Sequence, residues 1–236
     1  MEALIDLVAP SLAFFGCYWA LARRAEWPGL RTASFAAGLA VLVAGQAVDD
    51  VSLPVHMAGH GVVVALAAPL LVLGRPVTLL LRALPRPAAR ELALSLRSPW
   101  LRTALWPPLA FVAFVATQLA FHLTPLFGES LSDGPLHDVE HLLFLVTALW
   151  LWTVCLAVEP LPHRWPPLAR AGLLMAAMML SDIGSVKLMV DGEAAAGAAM
   201  TVSMMPLGLG AAALLWASLV REERRAARRE VAHATG

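Results

Sequence analysis

Seven apolar runs, bounded by charge or by Pro and Gly, limit this chain to one kind of fold. They lie near 4–22, 31–48, 54–73, 104–123, 136–158, 167–189 and 195–219. Each is close to the roughly 20 residues an α-helix needs to cross a bilayer. Of 236 residues, 59% are hydrophobic and 14% charged; soluble domains carry about 25% charged residues. That apolar content is enough for about seven spans and leaves little for a soluble domain. The same numbers exclude a disordered chain, a disulfide scaffold and a nucleic-acid module. The expectation is an all-α integral membrane bundle of seven transmembrane helices. It forms one domain over 1–220, followed by a tail over 221–236. The run at 31–48 is the weakest, being short and rich in Ala and Gly, residues that suit close helix packing in lipid.

A formal net charge of zero hides a separation of signs. Arg23, Arg24 and Arg31 flank the first turn, and Arg75, Arg82, Arg86, Arg90, Arg97 and Arg102 crowd the third connection. Arg164 and Arg170 follow the fifth run. Arg221, Arg224, Arg225, Arg228 and Arg229 follow the seventh. The alternate connectors hold Asp49, Asp50, Glu129, Asp133, Asp191 and Glu193, with only Lys187 near them. Positive charge stays in the cytoplasm. The N-terminus is therefore expected outside and the C-terminus inside, as an odd number of spans requires. Residues 75–103, broken by Pro85, Pro87 and Pro99, read as an inner interfacial linker with one short amphipathic helix near 88–97. The tail reads as a continuation of the last helix, attracted to anionic lipid. Trp27, Trp100, Trp106, Trp165 and Trp216 fall on the inner side, as interfacial anchors would. Met1-Glu2 opens the chain without a basic leader region, so no signal peptide is expected. Cys17 and Cys155 read as buried apolar filler.

Orientation also sorts the seven histidines. His163 and His233 read as solvated inner-side residues. His56, His60, His122, His137 and His141 all map to the outer ends of the third, fourth and fifth runs. Two of these ends share a pattern, Pro54-x-His56-Met57-x-x-His60 and Pro135-x-His137-Asp138-x-Glu140-His141. Proline suits the first helical turn, and histidines four apart then share one face. Both pairs should sit at matching depth and face a common cavity, with His122 arriving from the opposite direction. One histidine at a helix end is usually a hydrogen-bonded interfacial group. Five converging ionisable groups inside spans point to a metal or cofactor site instead. Imidazole with the thioether of Met57 is a donor set that suits copper. Met189, Met200, Met204 and Met205 also lie near the outer end but read as packing. Gln118, Asp138, Glu140 and Asp182 are candidates for orienting the imidazoles from behind.

The run His56-Met57-x-x-His60, followed by Ala68-Pro69-Leu70-Leu71-Val72-Leu73-Gly74-Arg75-Pro76, resembles the CtaG-type cytochrome c oxidase assembly factors of bacteria. So do His122-x-x-Pro125-x-Phe127 and Leu136-His137-x-x-Glu140-His141-Leu142. The similarity runs from about residue 50 to 220. It implies a multi-pass protein of the bacterial plasma membrane, needed to mature a haem–copper oxidase through copper handling on the outer side. Its partners would be oxidase subunits and the lipid bilayer. The positions carried over are His56, Met57, His60, His122, His137, Glu140 and His141. The chain departs from the family pattern at three places. Gly59 replaces a usual Gln, Phe121 a usual Trp, and Gly192-Glu193-Ala194 a usual Asp-Gln-Gln.

The residues leave two further readings open. A membrane-embedded zinc hydrolase would use three ligands and an open position for water, with Glu140 or Asp182 as base. A haem protein would draw axial imidazoles from two helices. The expected role is a non-enzymatic copper-binding assembly factor.

Overall fold

The computed structural model of the protein describes residues 2–48 and 51–234, with side chains described at 8–48, 51–224 and 227. Met1, Asp49 and Asp50 lie outside the described residues, as do the side chains of Glu2, Arg225, Arg228, Arg229 and His233. Among the described residues every regular element is a helix. In chain order they are α1 (Glu2–Arg24), α2 (Gly29–Gln46) and α3 (Leu53–Val62), which passes through a π-helical turn, Val63–Ala67, into α4 (Ala68–Leu73). Three short helices follow: α5 (Pro76–Ala83), α6 (Arg86–Ser95) and α7 (Pro99–Ala104). Then come α8 (Pro107–Leu123), α9 (Leu126–Ser130), α10 (Gly134–Leu156), α11 (Pro167–Val190) and α12 (Ala194–Ala234). Four stretches are long and apolar enough to cross a membrane: Leu53–Ala83, Gly134–Leu156, Pro167–Val190 and Ala194–Arg224. Helix α8 is apolar but shorter.

Helices cover all seven apolar runs, and α12 continues through the tail as expected. The linker departs from expectation: it holds three short helices, not one. Its prolines start helices rather than interrupt one, since α5, α6 and α7 each carry Pro in the first turn. Between α4 and α5 the chain turns at Arg75, whose φ of 54° is left-handed. Another left-handed residue, Ala157, ends α10.

Close backbone contacts set α3 between α2 and α12. A Cβ on Gly59 would lie 2.5 Å from the Gly45 carbonyl oxygen of α2. One on Gly61 would lie 1.8 Å from Ser203 Oγ and 2.5 Å from Ser203 Cβ of α12. The Gly59 departure thus fits this chain's own packing, because a longer residue would push α2 away. The main core lies deeper, around Phe114, Phe144, Leu151, Leu174 and Leu207. There Trp152 of α10 donates its indole N–H to the Val64 carbonyl inside the π-turn, at 3.0 Å.

Two corners hold the arginine-rich end together. Tyr18 donates to the Gly74 carbonyl at 2.7 Å, and Trp27 donates to the Tyr18 hydroxyl at 2.9 Å. Trp27 is buried there beneath the guanidinium groups of Arg31 and Arg82. It is a core residue, unlike the exposed Trp100, Trp106 and Trp216. Helix α10 ends on Arg170 of α11, which donates to the carbonyls of Cys155 and Leu156 at 2.7 and 3.1 Å. Of the two cysteines, Cys155 is buried, whereas Cys17 is exposed on α1.

Candidate metal centre

Proline starts both histidine-bearing helices in the expected way, Pro54 in the first turn of α3 and Pro135 in that of α10. Asp133 caps α10 by accepting from the Leu136 N–H at 3.1 Å. From these starts, His56 and His60 share one face of α3, and His137 and His141 share one face of α10. The faces meet. All six pairs of these four rings have centroids 4.3–6.2 Å apart. His56 and His60 are buried, and His137 and His141 are partly exposed. A small space of about 10 Å³, lined by Gly45, Gln46, Gly59, His60, Val63, His141 and Phe144, lies beside the cluster.

The Nε2 atoms of His56 and His60 lie 2.8 Å apart, one donating to the other. Two imidazole nitrogens on one tetrahedral ion stand about 3.3 Å apart, given metal–nitrogen bonds of about 2.0 Å. Opening this pair by about half an ångström would exchange the hydrogen bond for a shared ion. Among the described residues, no three His, Cys, Asp or Glu side chains form a ready-made metal site. The His56 and His60 nitrogens are donors of the right kind and lie within reach of one ion.

His122 packs on aromatic rings beside them. Its ring lies parallel to Phe144 at 5.6 Å and stacks on Phe127 at 5.9 Å. Phe144 also meets the His60 ring, at 5.1 Å. Phe144 thus touches both His122 and the four-ring cluster, an arrangement that periodicity within single helices could not reveal. Met57 is fully buried, but with Leu188, Ala196 and Met200 rather than with the cluster.

The supporting groups sort differently too. Glu140 is fully buried, with its Oε2 3.9 Å from His137 Nδ1. Asp138 is exposed, because two residues along a helix turn it about 200° away from Glu140. Gln118 holds His122 by its backbone carbonyl, 2.7 Å from Nδ1, and not by its side-chain amide. Asp182 has a buried Oδ1 without a hydrogen-bond partner among the described residues. Lys187 pairs with Asp191 instead of Asp182. His163 Nε2 meets the Arg102 carbonyl at 2.9 Å, in the linker region.

Comparison with known proteins adds the family. Uncharacterized proteins of Mycobacterium bovis and Mycobacterium tuberculosis are each 31% identical to the chain, over 96% of its length and 40% of theirs. An uncharacterized protein of Mycobacterium leprae is 31% identical over 74% of the chain and 27% of its own length. The chain thus spans about two-fifths of the length of the first two relatives. No solved structure matches it. Residues 12–208 match the cytochrome c oxidase caa3 assembly factors. By that match the chain belongs to the cytochrome c oxidase caa3 assembly factor family.

Proposed function

We propose that the chain binds copper through His56, His60, His137 and His141 and aids its insertion into a haem–copper cytochrome c oxidase. The observation that carries this reading is the meeting of four imidazoles from two helices, with centroids no more than 6.2 Å apart. Imidazole is a good copper ligand, and membership of an assembly-factor family supplies the destination. The role is non-catalytic: the chain binds and releases an ion and contacts oxidase subunits while doing so. Seven crossings of the bacterial plasma membrane, N-terminus outside and C-terminus in the cytoplasm, put the cluster near the extracytoplasmic surface. The partial exposure of His137 and His141 supports access from there.

The test replaces His60 and His141 together with alanine. Bound copper in the purified protein and oxidase activity in membranes should both fall sharply. Unchanged values in both would contradict the proposal. Retention should also depend on pH in a defined direction. Protonated imidazole has no lone pair, so copper is released as pH falls. Copper content after equilibration at neutral and mildly acidic pH checks this, and equal retention would count against imidazole ligation.

A further inference from the structure

His122 is held in one tautomer. Its Nδ1 lies 2.7 Å from the Gln118 carbonyl oxygen, which can only accept. The ring proton therefore sits on Nδ1 and the lone pair on Nε2. That Nε2 is buried and has no hydrogen-bond partner among the described residues. A backbone carbonyl holding the far nitrogen is also the usual support of a metal-ligating histidine.

Met200 lies close to this residue, and Met57 packs with Met200. A Cβ on Gly184 would lie 2.8 Å from His122 Cβ and 3.4 Å from Met200 Cε, so imidazole and thioether flank the same glycine. Phe127 stacks on His122 and also packs against the cluster that buries Met57 and Met200. Met57 is 0% exposed and Met200 2%. Both side chains are flexible enough to bring sulfur towards a neighbouring nitrogen.

We propose that His122 Nε2, Met57 and Met200 form a second site that takes a soft monovalent cation, Cu(I). One nitrogen and two thioethers are a soft donor set, which favours Cu(I) over harder divalent ions. The proposal rests on copper being the cargo of the four-imidazole cluster. It adds a second station at His122, which touches Phe144 as does His60 of the first cluster, at 5.6 and 5.1 Å respectively.

The test uses Ag(I), a soft monovalent probe, on the purified full chain. In a His60→Ala/His141→Ala background, which disables the first cluster, one Ag(I) should still bind, with sulfur among its neighbours by X-ray absorption. Adding Met57→Leu/Met200→Leu should weaken that binding by about tenfold or more. These changes nearly conserve volume, so the fold is retained. Unchanged affinity after the methionine changes, or bound Ag(I) with no sulfur neighbour, would overturn the second site. Should the histidine background fail to fold, His122→Ala in the otherwise native chain gives the same decision. Loss of one Ag(I) supports the site and no loss overturns it. The four-imidazole reading fails separately, if His60→Ala/His141→Ala leaves copper content unchanged.

Discussion

A single indole N–H supports the histidine helix from below. The π-turn at Val63–Ala67 shifts the backbone register directly after His60, and Trp152 satisfies the Val64 carbonyl inside it. Gly210 of α12 makes room for that ring, since a Cβ there would lie 2.6 Å from the indole. Trp152→Phe keeps an aromatic ring but leaves a buried carbonyl unmet, at a cost of about 1–3 kcal/mol. The thermal unfolding midpoint in detergent should fall accordingly, and an unchanged midpoint would deny the bond its role. A second residue-scale prediction concerns Glu159. Its carboxylate accepts from the N–H groups of Val77 and Thr78 at 3.0 and 2.9 Å and from the Thr78 hydroxyl, capping α5. Glu159→Ala should cost about 1 kcal/mol through the lost cap, read by the same melt.

At the scale of elements, the packing of α3 against α12 decides whether the histidine faces meet. Gly61 leaves no space for a methyl group, and rotating Ser203 cannot relieve the clash, because Ser203 Cβ itself would be 2.5 Å away. Gly61→Ala should therefore destabilise the protein by about 1–3 kcal/mol, as overpacking does. The double variant Gly61→Ala/Ser203→Gly should recover most of the loss, and failure to recover would place the strain elsewhere. Much of this level was legible in the sequence. Proline in the first turn and histidines four apart fixed both pairs to single faces, and those faces meet. The packing of His122 was not legible. It depends on Phe144, on the Gly184 contact between α8 and α11, and on Met200 from α12, none of which a single-helix pattern encodes. The three linker helices were not legible either, because proline serves there as a helix starter and not as a breaker.

For the whole molecule, the segregation of arginine predicts a topology that reporters can check. An enzyme active only outside the cytoplasm should work when fused after residue 132 and stay silent when fused after residue 97. The opposite pattern would invert the bundle and place the histidines on the cytoplasmic side. The identity of the bound ion is the more direct question. Copper X-ray absorption on the Met57→Leu/Met200→Leu chain isolates the four-imidazole cluster from the thioethers. Bound copper should show a nitrogen shell and imidazole outer-shell scattering, both lost in a further His60→Ala/His141→Ala variant. A chain that binds no copper, or binds it without an imidazole signature, would contradict copper ligation by the four histidines.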